Sequence, residues 1–179
     1  MAGFFHRQRA GEQSPGSVSL VIANSETITV GGAVRMSSGY VAAATAGTKV
    51  LGICIGIVNK DGINLDNANT STFDGTWTPG AYGTANYAAA SDNATDKQVK
   101  AIVVYDKNTL WKNDAAGDLT AAQLMGFFNL STATQMAAFV TGEVAGQFQL
   151  MQLDPDNEGN ASQGLFKIAE SVIDPYSQS

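Results

Sequence analysis

The sequence predicts an all-β fold, an antiparallel β-sandwich or barrel with one or two short helices and an extended N-terminal arm. Between Ser17 and Gly62, short β-branched runs end in Gly, Asn or Ser about every 8–10 positions, a spacing typical of antiparallel β structure. Charged residues make up 15% of the chain, against roughly 25% in ordinary soluble proteins. The length, 179 residues, is that of one domain, and we place it at 17–179.

The arm covers residues 1–16, where polar side chains dominate and Ser14-Pro15-Gly16 marks a break. Its composition predicts that it is mobile in the free protein and ordered when bound. Phe4 and Phe5 do not suit a tail in water, because two adjacent aromatic rings gain from burial. The arm therefore either folds back on its own domain or docks on a partner.

Five strands are predicted in the first third of the chain, at 17–23, 27–30, 33–36, 40–44 and 49–58. The last of these is apolar at both alternating sets of positions, which predicts a central strand. Its cysteine, Cys54, lies between two isoleucines, so we interpret it as a small core residue rather than a nucleophile.

A long ordered loop is predicted at about 65–96, because its small polar and alanine residues offer little to fill a core. Phe73, Trp77, Tyr82 and Tyr87 would hold it in place, with Trp77 as the main contact.

Strands resume in the second half of the chain. Asp106-Lys107-Asn108 forms a turn, Asn113 to Gly117 forms a hairpin boundary, and one short helix runs from Thr120 to about Phe128, with Gln123 completing a capping box. The predicted strands are 99–105, 109–112, 139–141, 147–153 and 164–173.

The residue inventory argues against an enzyme. The chain has one histidine, His6, in the polar arm, and one cysteine, Cys54, so it lacks the four ligands of a Cys/His zinc site. Asp154, Asp156 and Glu158 alternate like the start of an EF-hand loop, but Leu165 stands at the twelfth position, where a bidentate Glu is required. We expect no cofactor, and we interpret the acidic segment as a solvated turn, with a surface calcium site as the alternative.

Charge is divided unevenly along the chain. Residues 1–60 carry five basic and two acidic groups, for a net charge of +3, whereas the remainder carries −9. A net acidic chain with three arginines is a poor nucleic-acid binder. No apolar run reaches the length of a signal peptide or of a membrane span, so neither is expected.

Two stretches together resemble the opening β module of tailed-phage head decoration (cement) proteins: ITVGGAV at 28–34 and GYVAAATAGTKVLGI at 39–53. The segments 103–112, 149–154 and 165–168 are similar to later strands of phage virion proteins. The resemblance implies a virion structural protein on the capsid exterior, assembled in the host cytoplasm. It also implies two partners. One is the major capsid protein, and the other is further copies of this chain, which form a homotrimer. It supplies no site residues.

The charge division and the paired aromatics suggest that the arm binds the capsid. The candidate capsid-binding residues are Phe4, Phe5, His6, Arg7 and Arg9. Three alternatives stay open: another virion component such as a minor coat or tail protein, a glycan-binding or adhesion module using Trp77, Tyr82 and Tyr87, and a hydrolase using carboxylates.

Overall fold

Short antiparallel strands dominate the fold, which confirms the predicted all-β class. The computed structural model describes residues 16–63, 65, 86–106, 108–142, 145–153 and 162–169, and the backbone alone of 5–6 and 76–78. The strands are β1 Phe5–His6, β2 Ser17–Val21, β3 Thr27–Thr29, β4 Ala33–Ser37, β5 Tyr40–Ala43, β6 Gly52–Val58, β7 Thr76–Thr78, β8 Asn86–Ala88, β9 Lys100–Val104, β10 Trp111–Asp114, β11 Phe127–Phe128, β12 Leu130–Thr132, β13 Gln135–Met136, β14 Phe148–Leu153 and β15 Gln163–Ile168. The described residues also include a π-helix at Asn93–Lys97 and a 3₁₀-helix at Ala121–Gln123.

The first sheet has the strand order β2-β9-β6-β4-β5 and contains the predicted central strand, β6. It curls until its two edge strands meet, through a parallel bridge between Ile22 and Val41. The Ala23 N–H also donates to the Val41 carbonyl at 2.8 Å. The sheet is therefore closed like a small barrel at this end, which leaves fewer unpaired backbone groups at its edges.

Alternation along these strands sends one set of side chains into the barrel. Val18 and Leu20 of β2 lie opposite Val103 and Ala101 of β9, and all four contribute to the same apolar core. A bulge in β6 between Cys54 and Gly56 restores this alternation, because Cys54 and Ile57 both remain inside. Ile55, at the bulge, is turned toward solvent.

A small sheet, ordered β3-β8-β7, lies in part within the segment predicted as a loop. That prediction was wrong for β7, β8 and the π-helical turn. Ile28 of β3 pairs with Tyr87 of β8, and Tyr87 pairs in turn with Trp77 of β7. Pairing with β3 supplies backbone hydrogen bonds that the local composition does not reveal. Phe73 and Tyr82 lie outside the described residues, as does the side chain of Trp77.

The second sheet has the order β1-β10-β15-β14-β11, and the hairpin β12-β13 forms a separate two-stranded sheet. A parallel bridge between Ala115 and Met136 brings that hairpin back toward β10. Large side chains fill its core, led by Trp111, Phe128, Phe148 and Phe166. The Phe128 and Phe166 rings meet edge to face, with centroids 5.2 Å apart.

Three local predictions in this half were wrong. The helix expected from Thr120 to Phe128 is one 3₁₀ turn, because Phe127 and Phe128 pair with β14 instead. The Gln123 side chain does accept the Thr120 N–H at 2.8 Å, as a capping box requires. The hairpin boundary expected from Asn113 to Gly117 does not form, because Asn113 and Asp114 belong to β10, and β10 pairs with β1 and β15 rather than with the next strand along the chain. No strand forms at 139–141, where the Phe139 side chain packs against the second core.

Gln147 joins the two sheets. Its side-chain oxygen accepts the N–H of Leu130 at 2.9 Å, and its amide nitrogen donates to the carbonyls of Thr45 and Thr48 at 2.9 and 2.6 Å. The residue is almost fully buried. Ala33, Ile53 and other first-sheet residues also belong to the core of the second sheet, so the packing between the sheets is continuous.

Candidate capsid-binding segment

The structure places part of the candidate capsid-binding arm on the edge of the second sheet. Phe5 pairs with Lys112 and His6 pairs with Trp111, in antiparallel register. For these two residues the arm folds back on its own chain, which was one of the two alternatives. Phe4, Arg7 and Arg9 lie outside the described residues, as do the side chains of Phe5 and His6.

The residues that carry the family resemblance lie in consecutive strands. The stretch 28–34 spans the end of β3 and the start of β4, and 39–53 spans β5 and the entry into β6. Strands β4, β5 and β6 are neighbours in the first sheet. Gly31, with φ of 81°, provides the turn between β3 and β4, where a left-handed backbone favours glycine.

The two nucleophile or acid–base candidates lie in different sheets. Cys54 is fully buried in the barrel core, and its Sγ donates to the Gly56 carbonyl at 3.3 Å. His6 is in β1, at the edge of the second sheet. The structure does not bring these two residues together into a catalytic pair.

A metal site was considered only as the alternative interpretation of the acidic turn. Asp154, Asp156 and Glu158 fall outside the described residues. Within the part of the chain that is described, no three His, Cys, Asp or Glu side chains cluster as a metal site would require.

Across the same described ranges, no helix has the length and apolar character needed to span a membrane.

One of the three aromatic residues considered for glycan binding, Tyr87, is not available at the surface. Tyr87 is fully buried, inside the core of the first sheet. An aromatic ring that stacks on a sugar must be accessible, so Tyr87 is a packing residue and not part of a platform.

The basic groups described in the first 60 residues are Arg35, Lys49 and Lys60, against one acid, Glu26. Arg35 and Glu26 stabilise the β4-β5 hairpin through hydrogen bonds to Ala43. The Arg35 Nε donates to the Ala43 carbonyl at 3.2 Å, and a Glu26 carboxylate oxygen accepts the Ala43 N–H at 3.0 Å. Lys60 is exposed. Lys49 is exposed as well, and these two lysines lie in the loops before and after β6 rather than on the strands of the first sheet.

One surface feature was missed by the sequence analysis. Leu124, Met125 and Val140 are large apolar side chains that are 41%, 55% and 59% exposed. The first two were assigned to a helix and the third to a strand, so their exposure was not anticipated. A usable signal was present, because the stretch 115–142 has one charged residue, Asp118.

Comparison of the chain with protein-family models, curated proteins and solved structures finds no match.

Proposed function

We propose that this chain is a virion structural protein that binds the outer surface of a tailed-phage capsid and stabilises the shell. The observation that carries the proposal is the resemblance of 28–34 and 39–53 to the opening β module of cement proteins. In support, the two stretches contribute residues to β4, β5 and β6, which are neighbours in the first sheet, as a shared module would require.

The N-terminal arm is the proposed anchor. Its position on β10 leaves β1 as the outermost strand of the second sheet, so the arm lies at an edge of the domain. Arginine pairs strongly with carboxylates, and buried aromatic rings are frequent anchors in interfaces. Arg7, Arg9, Phe4 and Phe5 supply both kinds of contact, while the chain beyond residue 60, with a net charge of −9, suits the solvent side of a particle.

The burial of Tyr87 argues against the adhesion alternative, which depended on accessible aromatics in one loop. A minor coat or tail protein shares the structural role, and capsid binding itself separates it from the proposed function.

The test is co-sedimentation with capsids assembled from the major capsid protein of the phage that encodes this chain. Deleting residues 2–12 should abolish binding, because it removes β1 and both arginines. Arg7→Ala combined with Arg9→Ala should weaken binding and reduce its dependence on salt, since exposed charge pairs are screened over a Debye length of about 8–10 Å at 0.10–0.15 M salt.

Lys60→Ala is the matched control, because it removes an exposed positive charge elsewhere. Circular dichroism must show an unchanged β spectrum for each variant. Unchanged occupancy after the deletion would move the contact to the β domain, and failure of the full chain to sediment with capsids would refute the function.

A further inference from the structure

The barrel formed by the first sheet is covered at one end and open at the other. In the order β2-β9-β6-β4-β5 each strand runs antiparallel to the next, so the start of β2 and the ends of β9 and β4 lie at the same end. The opposite end, where β6 finishes, is covered by Leu65, which is buried and donates its N–H to the Ile57 carbonyl at 2.7 Å. At the first end, side chains that face the barrel interior remain in contact with solvent.

The strand register identifies these inward-facing side chains. Residues directly opposite each other in an antiparallel pair share one face of the sheet. Met36 lies opposite Val41, which is fully buried in the barrel core, yet Met36 is 39% exposed. Val18 and Leu20 of β2 pack against the same core and are also only partly buried. The apolar interior is therefore accessible from this end.

Tyr105, which follows the last residue of β9, completes the lining. A Cβ built on Gly16 would lie 3.7 Å from the Tyr105 Oη, so the ring is next to the start of β2. Side chains two positions apart in a strand share a face, which places Tyr105 on the face of Val103, inside the barrel. Tyr105 is 47% exposed. We define the barrel mouth as the uncharged residues Val18, Leu20, Met36 and Tyr105.

The barrel mouth borders a free strand edge. The Ile22 N–H donates to the Val99 carbonyl at 3.0 Å, on the β9 side, whereas the Ala23 N–H donates across the other edge at 2.8 Å. Backbone groups of successive strand residues point to opposite edges, so those of Ser17 and Ser19, in step with Ala23, point away from β9. Apart from the bridge at Ile22, no strand among the described residues pairs with β2 along this edge.

These two features together select an extended polypeptide as the ligand. Backbone N–H and C=O groups that repeat at every second residue along a strand edge match the backbone of another strand. When a strand is added to such an edge, every second side chain of the new strand points to the inner face of the sheet, where the barrel mouth offers apolar surface. A lipid chain would use the apolar mouth but not the backbone edge.

We infer that the barrel mouth and the free edge of β2 bind an extended segment of another protein, which adds a strand to the first sheet and inserts apolar side chains at alternate positions. The inference does not depend on capsid binding, because the purified full chain suffices to test it. The probe is a short fluorescein-labelled peptide in which valine alternates with threonine. Its binding is measured by fluorescence anisotropy, and saturable binding is expected.

Methylation of the peptide backbone tests strand pairing directly. Successive amides of a strand point to opposite edges, so methylating the threonine amides and methylating the valine amides remove donors from opposite edges of the peptide. One of the two methylated peptides should bind about 10-fold more weakly or worse, because its hydrogen bonds to β2 are lost. The other should bind like the unmodified peptide.

Variants of the chain test the edge and the mouth separately. Ser19→Pro removes a donor from the free edge and none from the pairing with β9, so it should weaken binding about 10-fold or more, whereas Ser19→Thr keeps the N–H and should not. Met36→Ser removes apolar surface from the mouth and should weaken binding about 5-fold or more. Ile55→Ser is its matched control, since Ile55 is 43% exposed in the same sheet but is turned away from the barrel interior.

Failure of the peptide to bind the unmodified chain overturns the inference. So does equal binding of the two methylated peptides, or an equal loss from Met36→Ser and Ile55→Ser. If Met36→Ser weakens binding but neither methylation does, the mouth binds apolar groups without strand pairing, which also overturns the inference. Each of these outcomes leaves the proposed capsid binding intact. Thermal melts show whether each variant is folded, and the methylated peptides test the edge even if Ser19→Pro unfolds.

Discussion

Replacing Gln147 with methionine should remove the hydrogen bonds that connect the two sheets and destabilise the protein. Methionine keeps the length of the side chain but can neither accept the Leu130 N–H nor donate to the Thr45 and Thr48 carbonyls. A buried donor that loses its partner costs about 1–3 kcal/mol. Leu130 is such a donor, because its hydrogen bond to Gln147 is buried.

The expected size of the effect follows from the solvent access of each partner. Thr45 is exposed and Thr48 is partly exposed, so water replaces part of what their carbonyls lose. Each of these two bonds then contributes about 1 kcal/mol net. Together with the stranded Leu130 N–H, the substitution should lower the free energy of unfolding by about 3 kcal/mol or more. For a chain of this size that corresponds to a Tm lower by roughly 6–12 °C.

Denaturant melts followed by circular dichroism measure this difference. Gln149→Met is the control, because Gln149 makes an exposed hydrogen bond, from its amide to the Met125 carbonyl. It should cost about 1 kcal/mol or less. Equal losses for the two substitutions, or no loss for Gln147→Met, would show that Gln147 does not tie the sheets together.

Two further predictions concern the interior of the first sheet. Gly52→Ala should lower the free energy of unfolding, measured in a urea melt, by about 1–3 kcal/mol or more. The added Cβ would collide with the Val104 carbonyl and lie 2.7 Å from Cγ1 of Val103. Gly117→Ala is the control and should change stability little, because the space around Gly117 is open. A thiol reagent should label Cys54 only after denaturation, since the side chain is fully buried, and rapid labelling of the native protein would contradict its place in the core.

Short β-branched runs that end in turn residues predicted β2, in the run 17–23 that ends at Asn24-Ser25, although its partner β9 lies far along the chain. The same signal is absent around β7 and β8, where small polar and alanine residues dominate the sequence. Nothing in the sequence near Tyr87 announces its pairing with Ile28, because that contact joins segments far apart in the chain. Thr120 and Gln123 carried a correct capping signal, but the pairing of Phe127 and Phe128 with β14 ended the helix after one turn.

The capsid-binding role of Phe5 and His6 stays a prediction. Their pairing with Lys112 and Trp111, respectively, could not be predicted, because it depends on a strand more than half the chain away. The exposure of Leu124 and Val140 was not predicted, because both look like core residues in a linear sequence. Phe139, next to Val140, is the residue of that segment that packs against the second core.

The strand order of the first sheet has a consequence for synthesis. Strand β9 lies between β2 and β6, so Ser17 cannot form its strand pair until Val104 has been synthesised. In the same way, Phe5 cannot pair until Lys112 has been synthesised. Folding on the ribosome therefore cannot proceed strand by strand, and the early strands leave the exit tunnel with their partners still missing. Such distant pairings slow folding and expose apolar edges meanwhile, so the yield of folded protein should depend on chaperones and on growth temperature.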